Sequence, residues 1–160
     1  FLTQKKESLP EEFREKIGNR IYGCDSCQTA CPENKGRNFH FHEEMEPDPE
    51  MVKPLLKPLL QLSNRQFKEK FGSLAGSWRG KKPIQRNAIV ALAHFKDETA
   101  VNDLIEVMTK DSRPVIRGTA AWALGKIGGE QAREALEAAQ SLEKEEEVLE
   151  EISRGLEFFI

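Results

Sequence analysis

The pattern of hydrophobic and polar positions changes near residue 83. From there to residue 160, apolar and small residues recur in helix-length groups. Before residue 83, short apolar runs are separated by proline, glycine and polar residues. We therefore predict a regular helical region preceded by loops and short helices, with almost no β-strand.

An internal repeat with an offset of 32 residues organises the second half of the chain. Residues 88–93 align with residues 120–125, and Leu104 aligns with Leu136. A weaker third copy includes Ile152. Each unit contains a helix, a short turn and a second helix. Such units cannot bury their apolar faces alone, so they stack on one another.

This repeat resembles short HEAT-type repeats and covers residues 83–160. The resemblance implies an all-α fold, in which a short right-handed solenoid follows a cysteine-containing segment. Small residues, Gly125 among them, would let neighbouring helices approach closely. HEAT repeats mostly serve as binding scaffolds, so the resemblance alone does not define a reaction.

Short helices are predicted upstream of the repeats. Ser8 is a candidate N-cap for a helix that ends near Ile17. Residues 51–61 contain two prolines and predict short turns or a kinked helix. Residues 63–71 predict a helix with Ser63 as its N-cap.

We divide the chain into a cysteine segment, a helical linker and a repeat domain, at residues 1–50, 51–82 and 83–160. No apolar run approaches the roughly 20 residues that span a bilayer, so we expect no membrane partner. We expect a cytoplasmic monomer. The chain begins with Phe1, and we interpret it as part of a larger protein.

The three cysteines follow the spacing Cys24-x2-Cys27-x3-Cys31-Pro32. An odd number of cysteines excludes a closed intrachain disulfide framework, and a Cys24–Cys27 disulfide is not expected in the cytoplasm. A structural zinc site needs four ligands, which His40 or His42 would have to complete.

The final Cys-x3-Cys-Pro step favours iron–sulfur chemistry over zinc. In two-cluster ferredoxins, the cysteine before proline ligates the other cluster. By this logic, Cys24 and Cys27 serve one 4Fe–4S cluster and Cys31 serves a second. Two clusters require about eight cysteines, so the remaining ligands would lie outside this chain.

Charge is distributed unevenly, although the net charge is only −3. Residues 65–86 carry seven basic side chains and one acid, whereas residues 130–160 carry ten acids and three bases. A basic stripe beside a helical scaffold suits phosphate contacts, with Arg113 as a possible extension.

Trp78 would either stack on a base or belong to the core. We interpret His94 as structural. The candidate nucleic-acid-binding residues are Arg79, Lys81, Lys82, Arg86 and Arg117.

Two segments resemble the epoxyqueuosine reductase family. Residues 22–34, YGCDSCQTACPEN, resemble its second cluster motif, and residues 78–88, WRGKKPIQRNA, resemble the start of its HEAT-like repeats. The coupling of the two motifs makes the resemblance specific, and it spans essentially the whole chain.

The resemblance implies a reductase that converts epoxyqueuosine to queuosine at the wobble position of certain tRNAs. It implies two 4Fe–4S clusters and a cobalamin held by an N-terminal domain. The partners would be the tRNA anticodon region and an electron-donor protein. No catalytic residue is expected in this chain. The alternatives are a HEAT-like adaptor with a zinc loop and a ferredoxin-like electron carrier.

Overall fold

The structure is a computed structural model that describes residues 2–37, 46 and 48–160. These residues form ten α-helices, three-residue 3₁₀ turns and no β-strand, which confirms the predicted all-α fold. None of the described helices has the length and apolar character needed to cross a membrane. The helices are α1 (Glu11–Ile17), α2 (Ser26–Ala30), α3 (Pro49–Val52), α4 (Leu56–Leu60), α5 (Asn64–Phe71), α6 (Lys82–Phe95), α7 (Val101–Lys110), α8 (Pro114–Ile127), α9 (Glu130–Leu142) and α10 (Glu146–Glu157).

The repeats are helix pairs stacked around α8. Helices α6 and α7 form the first unit, α8 and α9 form the second, and α10 begins a third. Helix α8 packs against α6, α7, α9 and α10. The aligned leucines Leu104 and Leu136 are fully buried, as is Ile152 in the third copy. Apolar burial between stacked units therefore stabilises this half of the chain.

Helices α8 and α10 approach closely at two glycines. A Cβ atom added to Gly125 would clash with the Gly155 carbonyl oxygen and would lie 2.6 Å from the Gly155 Cα. A Cβ atom on Gly155 would lie 2.9 Å from the Ala121 carbonyl oxygen. The structure thus confirms that Gly125 allows close helix packing.

The first helices of successive repeats begin on the same side of the solenoid. Arg113, just before α8, lies close enough to Lys81, just before α6, to help lower the pKa of Lys81. Arg117, in the first turn of α8, contacts Glu143, which precedes α10. We call this side the N-terminal edge.

The upstream segment packs against the first repeat through α1 and α4, both of which contact α6. The two-proline segment forms the short helices α3 and α4. Ser63 caps α5, and a reciprocal bond between Gln66 and the Ser63 backbone completes a capping box. Ser8 does not cap α1: the helix begins at Glu11, after Pro10, and the Ser8 hydroxyl accepts a bond from Arg14 instead.

One hydrophobic core joins the three predicted parts of the chain. Ile17, Leu59 and Leu124 represent the three parts and belong to the same cluster. The boundaries at residues 50 and 82 remain predictions.

Candidate metal loop and nucleic-acid interface

The cysteines surround the five-residue helix α2. Cys24 precedes the helix, Cys27 lies within it and Cys31 directly follows it. All three thiols are free, Cys24 and Cys27 are exposed, and Cys31 is half-buried. No residue of α2 is buried. Helix α2 therefore adds no side chain to the hydrophobic core.

An open cavity of about 780 Å³ lies beside Cys24. Its wall combines the approach to the loop, Tyr22 and Gly23, with apolar side chains such as Met51, Phe71 and Ile84. One cysteine thus faces a space that borders the hydrophobic core.

The pKa of the Cys24 thiol is lowered by hydrogen bonds from Ser26. Both the backbone amide and the hydroxyl of Ser26 favour the charged form, and Arg20 adds a smaller Coulombic effect. The thiolate is the form of cysteine that binds metals. The local environment therefore favours the ligating state of Cys24.

The donor set fits part of an iron–sulfur site. Thiolates are the ligands of 4Fe–4S clusters, but each cluster needs four of them. Within residues 2–37, 46 and 48–160, no group of three or more Cys, His, Asp or Glu side chains is arranged to hold a metal ion. His40 and His42, the suggested zinc ligands, lie outside the described residues. The three thiols fit as partial ligands that require others.

The backbone before Cys24 is tied to helix α6 and to the first residues of the chain. The Asn87 side-chain amide donates to the Thr3 and Ile21 carbonyl oxygens, at 2.7 Å each. The Gly23 N–H donates to Thr3 Oγ1 at 3.2 Å. Helix α6 thus fixes the backbone segment that enters the cysteine loop.

Arg86 lies inside the molecule, not on its surface. Only 1% of the residue is exposed, and its guanidinium donates to the carbonyl oxygens of Leu2, Lys5 and Glu7 and to Asn87 Oδ1. Burial lowers its pKa to about 10. We expected Arg86 to contact RNA. The structure instead shows its five donors occupied by this chain, so Arg86 is not available to a phosphate.

Basic side chains do gather at the N-terminal edge. Lys81 and Lys82 are half-exposed at the start of α6. Burial lowers the pKa of Lys81, and the neighbouring Arg113 adds to that effect. Burial opposes ionisation of Asp111, yet hydrogen bonds from Arg113 outweigh it and lower the Asp111 pKa. Cations at the positive end of a helix dipole are unfavourable unless an anion is bound there.

Arg117 reaches the same edge, but an acid already neutralises it. Its guanidinium donates to Glu143 at 2.8 and 3.1 Å, and both side chains are 13% exposed. The hydrogen bond raises the pKa of Arg117 and lowers that of Glu143 to about 2. Arg117 therefore contributes less positive charge to the edge than the sequence indicated.

Trp78 projects from the turn before α6. It is 71% exposed, so it does not belong to the core. The Arg79 guanidinium lies over its ring, with the Arg79 Cζ 4.4 Å from the ring centroid. The Arg79 Nε is buried and has no hydrogen-bond partner among the residues that the structure describes. An exposed aromatic ring stacked on an arginine resembles a platform for an unpaired base.

Comparison with known proteins identifies the family. A family model described as HEAT repeats matches residues 79–157. An epoxyqueuosine reductase from Bacillus cereus is 71% identical over 157 residues, which represent 98% of this chain and 41% of that protein. The chain belongs to the epoxyqueuosine reductase family. It spans about two-fifths of the length of this relative.

Solved structures of epoxyqueuosine reductases share the fold. A selenomethionine-labelled epoxyqueuosine reductase matches with a TM-score of 0.95 and 67% identity, covering 99% of this chain and 42% of that one. An epoxyqueuosine reductase crystallised with an epoxyqueuosine-modified tRNA-Tyr stem loop matches with a TM-score of 0.93 and 68% identity. That match covers 98% of this chain and 42% of that one.

Sequence reasoning missed the roles of Thr3 and Asn87. Asn87 belongs to the Arg-Asn-Ala motif that we associated with the epoxyqueuosine reductase family. Its side chain is uncharged, so the sequence does not indicate which atoms it would hydrogen-bond. His94 is exposed, and its ring packs edge-on against Phe95 at 5.2 Å between centroids. Nothing in these contacts tests its interpretation as structural.

Proposed function

We propose that this chain forms the cluster-ligating and tRNA-docking part of an epoxyqueuosine reductase. The reaction removes the epoxide oxygen of epoxyqueuosine as water and leaves the alkene of queuosine. It consumes two electrons and two protons. A tRNA substrate implies a cytoplasmic reaction. The cobalamin, the catalytic acid and the remaining cluster ligands would belong to the rest of a longer polypeptide.

In this proposal the cysteine loop supplies three thiolates to two clusters. Cys24 and Cys27 would ligate one 4Fe–4S cluster, and Cys31 would ligate the other. The clusters supply electron transfer from a donor protein to the reaction centre. Because the cysteine loop is short, it would keep the two clusters close together. The lowered pKa of Cys24 supports this role because iron binds thiolate.

The tRNA-docking surface would consist of Trp78, Arg79, Lys81 and Lys82. The lysines would contact backbone phosphates, and Trp78 would stack on an unpaired base. Arg117 would contribute at the margin, since Glu143 compensates its charge. The observation that carries the proposal is that one helix, α6, begins at this basic surface and also holds the backbone that leads to Cys24.

Metal analysis tests the cluster assignment. We would produce the longer polypeptide that contains this chain, reconstitute it anaerobically and measure iron and sulfide per chain. We expect about eight iron atoms. Changing Cys31 to Ser and Cys24 to Ser in separate variants should each disturb a different cluster signal. Stoichiometric zinc without iron would refute the reductase proposal and favour the adaptor alternative.

Binding of an RNA stem loop tests the docking surface. We expect the longer polypeptide to bind a tRNA-Tyr anticodon stem loop with an affinity that falls steeply with added salt, because phosphate contacts release counterions. A salt-independent affinity would contradict docking at a basic edge.

A further inference from the structure

Two side chains outside the cysteine loop, Thr3 and Asn87, fix the path of the backbone into it. Thr3 Oγ1 accepts a hydrogen bond from the Gly23 N–H, one residue before Cys24. The Asn87 side-chain amide donates to the Ile21 carbonyl oxygen, three residues before Cys24. Gly23 has a φ of +64°, a conformation that favours glycine. The chain therefore enters the loop through a defined turn.

Asn87 is suited to hold this turn rigidly. It is 0% exposed, and both of its N–H donors have acceptors, the Thr3 and Ile21 carbonyl oxygens. Its Oδ1 accepts two hydrogen bonds from Arg86. A fully bonded buried amide has few alternative orientations, since turning it would leave donors unpaired at a high cost. One amide thus joins the first turn of the chain to the approach to Cys24.

We propose that Asn87 and Thr3 are positioning residues that set where Cys24 can ligate its cluster. The inference rests on the proposed function, because it takes Cys24 to be a ligand. Helix α2 has no buried residue, so the loop has little packing of its own to fix the thiol. Removing a group that orients a metal ligand through a hydrogen bond commonly lowers metal affinity by about 10- to 100-fold.

An isosteric series at Thr3 isolates the contact. Thr3→Val keeps the shape of the buried side chain but removes the oxygen that accepts from Gly23. Thr3→Ser keeps the oxygen and should restore the wild-type behaviour. Thr119→Val is the matched control: Thr119 is similarly buried, and within the described part of the chain its hydroxyl bonds only to the Val115 carbonyl oxygen in its own helix.

A second variant replaces the Asn87 amide, and with it both N–H donors, by a carboxylate. Asn87→Asp keeps the oxygen that accepts from Arg86 but cannot donate to the Thr3 and Ile21 carbonyl oxygens. We expect Asn87→Asp to change the same measurements as Thr3→Val, and to change them more, because two hydrogen bonds are lost.

Two measurements test the proposal. Amide hydrogen exchange of the 160-residue chain, without metal, should show faster exchange at Gly23 and Cys24 in Thr3→Val and Asn87→Asp only. In the reconstituted longer polypeptide, the same variants should bind iron roughly tenfold more weakly and alter the electron paramagnetic resonance signal of one cluster. Thr3→Ser and Thr119→Val should match the wild type.

The outcomes separate this inference from the proposed function. Unchanged exchange at Gly23 and Cys24, or iron binding and signals like those of the wild type, would overturn the positioning role. Equal losses in Thr119→Val would also overturn it, because they would reflect general destabilisation. If the wild type binds no iron, the proposed function fails and the assignment of Thr3 and Asn87 as positioning residues falls with it, whatever the exchange shows.

Discussion

Arg14 and Glu151 are 137 positions apart and form a buried, bidentate ion pair. Both nitrogen–oxygen distances are 2.6 Å, and the residues are 2% and 5% exposed. Arg14 also donates to the Leu9 carbonyl oxygen and lies over the Trp122 ring, 5.2 Å from its centroid. The pair therefore links α1, upstream of the cysteine loop, to α10 at the end of the solenoid.

Glu151→Gln should destabilise the chain strongly. The change leaves the Arg14 guanidinium buried without a countercharge, which typically costs about 3–5 kcal/mol. Urea unfolding followed by circular dichroism would measure the loss. The exposed pair Arg65–Glu69 is the control, and Glu69→Gln should cost less than about 0.5 kcal/mol. Similar losses in both variants would show that burial of the pair is unimportant.

Gly125→Ala should also destabilise the fold, although alanine is the better helix former. Its new methyl group would meet the Gly155 backbone, which cannot move aside as a flexible side chain can. We expect a loss of about 1–3 kcal/mol. Gly118→Ala is the comparison, because the nearest atom to its new methyl group would be the Glu151 side-chain Cγ, at 3.2 Å, and the nearest backbone atom would be 3.9 Å away. A larger loss at Gly118 would contradict the close approach of α8 and α10 at Gly125.

The Arg117–Glu143 ion pair should contribute to the free energy of unfolding at neutral pH and lose this contribution in acid. The folded state lowers the Glu143 pKa from 4.5 to about 2, so the carboxylate stabilises the fold above its unfolded pKa. This stabilisation is lost as the pH falls from about 4.5 towards 2. Glu143→Gln should cost roughly 1 kcal/mol at pH 7 and progressively less below pH 4.5. Unfolding free energies of both proteins across this range would test it, and a constant difference would refute it.

Repetition explains why the solenoid could be predicted from the sequence. Leu104 and Leu136 repeat with an offset of 32 residues, and both are buried because the same packing is used twice. Close packing at Gly125 followed from the same pattern. Local capping was less predictable: Ser63 caps a helix, whereas Ser8, which has a similar sequence setting, does not.

The candidate site was harder to predict because charge alone does not reveal burial. Arg86 and Lys82 belong to the same basic run, yet Arg86 is buried and Lys82 is half-exposed. The two residues are four positions apart and therefore on the same face of α6, and only the folded chain shows that carbonyl groups from residues 2–7 surround Arg86. The pairing of Arg117 with Glu143 likewise depends on how the repeats stack.

Lys82→Glu should weaken binding of a tRNA stem loop in the longer polypeptide. The lysine would contact a phosphate, so its reversal should lower affinity and reduce the salt-dependence slope by about one. Lys144→Glu is the matched control, since Lys144 is exposed in the acidic part of the chain. Filter binding at several salt concentrations would measure both slopes. Equal effects from the two reversals would indicate only a general electrostatic attraction.

Trp78→Ala should weaken stem-loop binding by about 1–3 kcal/mol if the ring stacks on a base, whereas Trp78→Phe should lose less. Folding stability should change by no more than about 0.5 kcal/mol, because Trp78 is 71% exposed. The chain's other tryptophan, Trp122, is only 2% exposed, so in the 160-residue chain any RNA-dependent quenching of tryptophan fluorescence would come from Trp78. A titration without quenching, together with unchanged affinity of Trp78→Ala, would exclude a stacking role for the Trp78–Arg79 pair.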